Sequence, residues 1–150
     1  MTKSFKQKIT VFFITLVLFA NFCTPLIAHA AEMPETQYVE PASARNIAII
    51  FTGNDLQLGA LGRLYCYGET QSNPVYYNTG VKVELQQYDG GWNTIKTWEA
   101  TGNTWAIIEK YYYVDRGYAY QLKVTHYAYD IETDEEVESY VTYSDCIRYD

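Results

Sequence analysis

Histidine and the common catalytic motifs are what this 150-residue sequence has least of. It contains two histidines, and His29 lies in an apolar N-terminal segment, so His126 is the one histidine in the rest of the chain. One histidine cannot build the three-ligand zinc sites of common hydrolases without carboxylates. No GxSxG, HExxH or phosphate-binding glycine loop is present. The sequence therefore predicts no catalytic residue, no cofactor and no metal site, and we expect that the protein is not an enzyme.

Positive charge is also scarce. The chain has eighteen Asp and Glu against eleven Lys and Arg, and three of the lysines fall within the first thirty residues. Without those three, eight positive groups face eighteen negative ones, a net charge of −10. Nucleic acids and anionic membrane surfaces select clustered Lys and Arg, so we expect neither as a partner.

The N-terminal segment has the pattern of a secretory signal, 1–30. Three lysines precede an apolar run over 9–22, and the small residues Ala28 and Ala30 stand where a signal peptidase cuts. The run is shorter than the ~20 residues of a membrane-spanning helix. We expect a signal helix, cleavage after Ala30, secretion to the extracellular medium and no membrane attachment afterwards. Residues 31–45, with two Pro and three Glu, predict a flexible leader before one domain, 46–150.

The mature chain lacks helical spacing and is instead divided into short β patterns by turn residues. Val81, Val83 and Leu85 alternate with polar residues, and the following Asp-Gly-Gly predicts a tight hairpin. The fold class that we expect is all-β, a single antiparallel β-sandwich of about seven strands, with a small closed barrel as the alternative. The expected strands are 46–51, 61–68, 81–88, 92–98, 105–114, 118–129 and 137–144.

Alternation also assigns residues to faces. Leu64 and Cys66 share one face of their strand, and Arg63, Tyr65 and Tyr67 share the other. In 118–129 the face that holds Tyr118, Tyr120, Leu122 and Val124 continues to His126 near the strand end. We expect His126 to be a hydrogen-bonded residue at the rim of the core.

Two cysteines, Cys66 and Cys146, remain after the signal is removed. In an oxidising exterior such a pair forms a disulfide in many small domains, and this one would close a long loop. Strand parity argues the other way, because it turns Cys146 outward while Cys66 lies beside Leu64. The candidate disulfide Cys66–Cys146 and two free thiols, with Cys66 as a small core residue, both stay open.

The acidic segment 130–136 places carboxylates at alternate positions, as calcium loops do. It lacks the glycine of an EF-hand loop and has no flanking helices. We expect a solvated hairpin tip rather than a calcium site.

Aromatic residues give the best indication of function. All sixteen Tyr and three Trp follow the signal, and a sandwich has one interior, so some rings must lie outside. Trp92 and Trp98 are six residues apart on one strand, a spacing that predicts a shared face, and Tyr112 faces opposite to its neighbours. Exposed flat rings stack on sugars or anchor protein partners; the alternative is that most of them fill the core. The candidate ligand-binding residues are Trp92, Trp98, Trp105 and Tyr112.

The segments GRLYCYG, VKVELQQYDGGW, DRGYAY and VESYVTYS resemble a functionally uncharacterised family of short secreted proteins from Gram-positive bacteria. The resemblance covers about residues 40–149 and implies an immunoglobulin-like β-sandwich without catalytic residues. DRGYAY is also similar to the corner before strand F of that fold, although its tyrosines follow Asp115 by three and five positions rather than four. The matching positions are Gly62, Cys66, Gly68, Val81, Val83, Leu85, Gln86, Trp92, Gly117, Tyr118, Tyr120, Glu138 and Ser144.

These patterns lead to two hypotheses from different classes. The first is a secreted non-catalytic binding module that recognises a polysaccharide or a cell-envelope component through exposed aromatics. The alternative is a secreted protein-interaction factor, an effector or a structural surface protein whose partner is an extracellular protein. A row of parallel rings would favour sugar, and a compact apolar patch would favour a protein partner.

Overall fold

The computed structural model describes residues 48–150. Eight β-strands and one short 3-10 turn, Ala60–Gly62, make up this part of the chain. The predicted signal, the predicted leader and the first two residues of the predicted first strand lie outside the described residues. Within 48–150, no helix is long and apolar enough to cross a membrane. The strands are β1 (Ile49–Leu58), β2 (Arg63–Ser72), β3 (Tyr77–Tyr88), β4 (Trp92–Gly102), β5 (Trp105–Tyr113), β6 (Tyr118–Asp130), β7 (Glu136–Tyr143) and β8 (Ile147–Tyr149).

Two antiparallel sheets contain these strands. The three-stranded sheet has the order β1-β2-β5, and the second sheet has the order β4-β3-β6-β7, with β8 also paired to β6. The chain therefore passes from one sheet to the other after β2, after β4 and after β5. Each sheet buries one face against the other. This arrangement is an all-β sandwich, as the alternating segments predicted, and its two separate sheets distinguish it from a closed barrel.

The hairpin between β3 and β4 forms where the sequence predicted it. Tyr88 lies opposite Trp92, and the Asp89 amide donates to the Gly91 carbonyl at 3.0 Å. Gly90 has φ +72°, in the left-handed region that glycine enters without steric cost. The Asp-Gly-Gly signal thus identified both the turn and the pairing of its two strands.

A β-bulge in this hairpin overturns one prediction. Gln86 lies opposite Thr94 but Leu85 lies opposite Lys96, so β4 has one extra residue at this point. An extra residue reverses the alternation of faces along the strand. Trp98, opposite Val83, consequently packs against the core, whereas Trp92 lies on the outer face. The predicted shared face of Trp92 and Trp98 is therefore wrong.

Apolar side chains from both sheets fill one half of the interior. The predicted inward residues of β3 are fully buried there, as are Leu64 of β2 and the predicted inward residues of β6 apart from Tyr118, which is partly buried against the core. Each such side chain contributes roughly 1.5–3 kcal/mol through removal of apolar surface from water. The buried members of this core are Leu56, Leu64, Cys66, Val81, Val83, Leu85, Ala106, Ile108, Tyr120, Leu122 and Val124.

The two sheets approach each other closely at Gly68 on β2. A Cβ atom on this glycine would lie 2.4 Å from Val83 Cγ2 and 3.3 Å from Val124 Cγ1. Real Cβ atoms do not tolerate the first distance, so the space between the sheets here is available only to a residue without a side chain.

We expect Gly68→Ala to lower the free energy of unfolding by about 1–3 kcal/mol, because the added methyl forces the sheets apart. Gly53→Ala is the matched control, since its Cβ would meet its nearest neighbours at 3.6–3.7 Å, an ordinary contact. Urea unfolding of both variants measures the difference. Equal stability of the two variants would contradict the close approach.

The other part of the interior combines a small apolar cluster of Ala48, Ile49 and Ala128 with buried polar side chains, among them His126. The His126 side chain is 0 % exposed, and its ring nitrogens lie 2.8 Å from the hydroxyls of Thr70 and Thr142. Asn54 also donates to the Thr142 hydroxyl at 2.8 Å, which extends this network to β1. The predicted hydrogen bonding is present. The predicted rim position is wrong, because Tyr140 of β7 reaches Thr52 of β1 and closes the sandwich edge over the histidine.

Burial lowers the pKa of His126 to about 4. The unfolded chain binds a proton near pH 6.5 and the folded chain does not, so protonation favours unfolding. We expect the free energy of unfolding to fall as the pH drops from 6.5 towards 4, by about 3 kcal/mol in total, with no contribution from this group above pH 6.5. Urea unfolding between pH 7.5 and 5 measures the slope before the carboxylates titrate. In His126→Gln the slope should vanish in this range; an unchanged slope would assign the effect to another group.

The turn before β6 is held by a tyrosine. Tyr120 is buried, and its hydroxyl donates to the backbone carbonyl of Asp115 at 2.7 Å. Gly117, with φ +90°, permits the reversal between these two residues. The bond joins the start of β6 to the chain that arrives from β5 and crosses between the sheets.

Several strands extend beyond their predicted ends: β2 continues to Ser72, β3 begins at Tyr77, and β4 continues to Gly102. The largest difference is in β1. β1 continues to Leu58, through Gly53, Asn54 and Asp55, which are residue types that strands disfavour. Pairing with nine residues of β2 outweighs that local preference. After β7, the Ser144 hydroxyl accepts a hydrogen bond from the Leu122 amide at 2.8 Å, in place of a backbone carbonyl. The chain then resumes pairing with β6 as the short strand β8, which was not predicted.

The candidate disulfide is absent, and both cysteines are free thiols. Cys66 is fully buried in the three-stranded sheet, where burial raises its pKa to about 12. Cys146 is half-buried in the link between β7 and β8, beside the other sheet. The parity argument therefore anticipated the outcome better than the argument from an oxidising exterior.

Denatured protein that has not been treated with a reductant should react with two equivalents of an aromatic disulfide reagent per exported chain. In the native state Cys66 should not react, because its thiol is buried and protonated. Cys146→Ser should lower the denatured count to one. A count of zero after denaturation would show that the two thiols are paired.

Candidate functional site

Six aromatic side chains share the outer face of the three-stranded sheet, which we call the aromatic face. β2 contributes two tyrosines, β5 contributes a tryptophan and two tyrosines, and β1 contributes a phenylalanine. Tyr65 lies directly opposite Tyr111, and Tyr113 lies opposite Arg63. The members of the aromatic face are Phe51, Tyr65, Tyr67, Trp105, Tyr111 and Tyr113.

Burial on the inner side of the sheet determines these positions. On β2, Leu64 and Cys66 are fully buried, so the tyrosines on either side of Cys66 must point outward. On β5, Ala106 and Ile108 point inward, and the residues of opposite parity are about half exposed. Burial of the inner residues of β2 and β5 therefore places these aromatic residues on the outer face of the sheet.

The tyrosine rings form a continuous row across two strands. Tyr65 and Tyr67 are nearly parallel, with an interplanar angle of 12° and ring centroids 6.4 Å apart. Tyr65 also contacts Tyr111, with centroids 5.4 Å apart, and the Arg63 guanidinium lies 4.7 Å from the centre of the Tyr111 ring. These contacts hold the rings in place on an exposed surface.

Carboxylates border the row of rings. Asp55 and Glu109 lie opposite Tyr67 on its two neighbouring strands, and the Tyr67 hydroxyl donates to Glu69. This hydrogen bond, with partial burial, raises the pKa of Tyr67 to about 12. Partial burial and the nearby Glu109 carboxylate also raise the pKa of Tyr65. Both hydroxyls therefore stay protonated near neutral pH, and the Tyr67 proton is engaged by Glu69.

An open cavity of about 500 Å³ lies at one end of the aromatic face. Its walls combine the rings of Tyr65 and Tyr111 with the charged groups of Asp55, Arg63 and Glu109. Such a mixture of flat apolar surface with donors and acceptors is typical of sites for small polar ligands.

The opposite end of the aromatic face is apolar. Phe51 and Trp105 flank Gln71 in one cross-strand row, and Ile107 lies in the next. All three apolar side chains are about half exposed. The aromatic face thus has a polar end with tyrosines and a more apolar end, where the largely buried Glu69 lies opposite Ile107.

Only one of the four predicted ligand-binding residues, Trp105, lies on the aromatic face. Trp92 contacts Tyr88 on the outer face of the other sheet. Trp98 and Tyr112 pack edge to face in the interior, with centroids 6.1 Å apart. The alternation around Cys66 and Tyr112 had already grouped the tyrosines that form the site. Alternation alone did not show which of these two faces the core would bury.

The acidic segment after β6 forms a loop organised by its own side chain. The Asp130 carboxylate accepts the amides of Glu132 and Thr133 at 2.9 and 3.0 Å. The hydrogen bond from Thr133 is the main reason that the pKa of Asp130 is lowered. Among residues 48–150 no group of three or more His, Cys, Asp or Glu side chains is arranged to hold a metal ion.

His126 is also poorly placed for acid–base chemistry. It lies inside the sandwich, and both ring nitrogens are engaged by threonine hydroxyls. A general base must reach the proton that it removes. His126 is therefore not placed to act on a ligand at the surface.

Comparison of the chain with protein-family models, with curated proteins and with solved structures finds no match. The geometry of the aromatic face is therefore the basis for assigning a function.

Proposed function

We propose that this protein is a secreted, non-catalytic binding module that recognises a polysaccharide of the cell envelope through the aromatic face. One observation carries the proposal: six aromatic side chains lie on one flat sheet face, and those of Tyr65 and Tyr67 are nearly parallel. Rings in this arrangement offer consecutive stacking surfaces to the apolar faces of sugar rings.

The polar groups of the aromatic face fit the same ligand class. Tyrosine hydroxyls and the Arg63 guanidinium donate hydrogen bonds, and carboxylates accept them from sugar hydroxyls. The carboxylates of Asp55 and Glu109, together with the largely buried carboxylate of Glu69, outnumber the single guanidinium of Arg63 on this face. The excess of negative charge disfavours polyanions, so the polysaccharide that we propose is uncharged or carries amino groups.

The proposal includes an immunoglobulin-like fold and membership of the secreted Gram-positive family. The strand order supports the fold, because β1-β2-β5 facing β4-β3-β6-β7 corresponds to strands A-B-E facing C′-C-F-G. The bond from Tyr120 to Asp115 supports it as well, since it has the donor and the acceptor of a tyrosine corner. The resemblance in sequence and the predicted signal support secretion.

Protein purified from the medium of cells that express the full chain should sediment with insoluble peptidoglycan or with one member of a panel of polysaccharides. The double variant Tyr65→Ala/Tyr111→Ala should raise the dissociation constant at least tenfold, about 1.4 kcal/mol, because two stacking surfaces are lost. Trp105→Ala should have a smaller effect, since Trp105 lies at the apolar end.

Tyr76→Ala is the matched control for these variants. Tyr76 is 61 % exposed, close to the 65 % of Tyr113, but it lies between β2 and β3 and away from the aromatic face. Its loss should leave sedimentation unchanged. Equal binding by Tyr76→Ala and the double variant would contradict the assignment of binding to the aromatic face. Failure of the unmodified protein to sediment with any polysaccharide would contradict the proposal of a sugar ligand.

The second candidate function is recognition of an extracellular protein. The apolar end of the aromatic face favours it, because Phe51, Trp105 and Ile107 bring exposed apolar surface without charge. In that case Trp105→Ala and Ile107→Ser would abolish binding to the partner, whereas the tyrosine double variant would retain it.

A further inference from the structure

A second pair of tyrosines lies on the outer face of the five-stranded sheet, on the far side of the sandwich from the aromatic face. Tyr127 and Tyr129 of β6 have ring centroids 6.0 Å apart and an interplanar angle of 20°. They are therefore stacked in the same way as Tyr65 and Tyr67 on the aromatic face.

A glycine under these rings lets them lie on the sheet. Gly80 of β3 is paired with Tyr127, and a Cβ atom there would lie 2.9 Å from Tyr129 Cε2 and 3.3 Å from Tyr127 Cβ. Any side chain at this position would lift the Tyr129 ring from the backbone of β3. Gly80 therefore allows close contact between the Tyr129 ring and β3. It does not form a turn, since the chain is extended here.

The Tyr129 ring borders two adjoining cavities, of about 520 and 190 Å³. Thr101 of β4 lines both of them, the turn after β4 closes one end, and the loop after β6 supplies Asp134. We call the combined depression the Tyr129 groove.

Hydrogen-bonding groups of several kinds line the Tyr129 groove. Asn78 and Asn103 bring amides, and Thr101 brings a hydroxyl. Lys82 and Glu99 offer charges of opposite sign, with Lys82 Nζ and Glu99 Oε1 4.0 Å apart. One flat ring among amide and hydroxyl groups, with an ion pair and the Asp134 carboxylate as a further acceptor, is complementary to a sugar ring with hydroxyls along its edge.

Burial, followed by nearby carboxylates such as Glu136, raises the pKa of Tyr129. Its hydroxyl is therefore protonated near neutral pH and available as a donor. A donor hydroxyl is consistent with a sugar-binding groove. The main evidence for that groove is the Tyr129 ring, Gly80 beneath it and the amides around it.

We propose that the Tyr129 groove is a second saccharide-binding site, so that one molecule engages two polysaccharide chains at once and cross-links them. The cross-linking rests on the proposed function of the aromatic face, whereas the groove stands on its own geometry. Two sites on opposite sides of a rigid sandwich cannot bind neighbouring sugars of one straight chain, so they are suited to bridging separate chains.

The test combines stoichiometry with agglutination. Soluble hexasaccharides of chitin and of cellulose are titrated into the exported protein, and particles coated with the parent polysaccharides are mixed with it. We expect two bound oligosaccharides per chain and agglutinated particles. Tyr129→Ala should reduce the stoichiometry to one and abolish agglutination, while the protein still sediments with the particles.

A second variant guards against a folding defect in Tyr129→Ala. Thr101 is exposed on the edge strand β4 and faces the groove, so Thr101→Arg should fill the groove without touching the core. It should reproduce the loss of one site. Trp92→Ala, on the same outer face but at the other end of the β3–β4 hairpin, serves as the control and should agglutinate the particles as the unmodified chain does.

The two proposals fail in different ways. If both groove variants keep two sites and agglutinate particles, or if the unmodified chain binds one oligosaccharide that Tyr65→Ala/Tyr111→Ala abolishes, the second site is wrong and the aromatic face stands. If the groove variants abolish all binding and the aromatic-face variants abolish none, the proposed function of that face and the cross-linking are both overturned. Absence of binding to either hexasaccharide by the unmodified chain overturns both proposals for these sugars.

Discussion

The structure depends on the close packing of two sheets, which leaves no space for a Cβ atom where Gly68 meets Val83. Once one face of each sheet is buried, the period of two along a strand leaves every neighbouring residue outside. Leu64 and Cys66 are buried in this way, and the tyrosines of the same strand become exposed. The candidate binding surface and the core are therefore two consequences of one packing interaction.

Buried polar side chains are concentrated in one part of the interior, beside the small apolar cluster of Ala48, Ile49 and Ala128. His126, Thr70 and Thr142 satisfy one another's hydrogen-bonding groups in a place where an unpaired polar atom would be costly. The same network joins β2 of one sheet to β6 and β7 of the other. Tyr120 performs a similar task at the opposite end of β6. Hydrogen bonds thus specify the alignment of two sheets that hydrophobic packing alone would leave free to slide.

Much of the fold could be predicted from local pattern, because a strand with one buried face alternates apolar and polar residues along its sequence. The hairpin at Asp89, the inward set on β3 and the long strand β6 all followed from that record. The second half of β1 did not, since Gly53, Asn54 and Asp55 disfavour strands and are held by pairing with β2. The bulge in β4 was equally invisible, and it alone separated Trp92 from Trp98.

Of the candidate site, the sequence established that Tyr65 and Tyr67 share a face and that Tyr111 and Tyr113 oppose Tyr112, because side chains alternate along any strand. Which of those faces would point to solvent was decided by the second sheet, which covers Leu64 and Ile108 and leaves the tyrosines uncovered. The meeting of β2 and β5 in one row of rings was likewise a product of strand order, since the two strands are separated by a complete hairpin in the chain. Alternation is a local property that a sequence carries by itself, whereas the direction of the interior exists only when distant strands have paired.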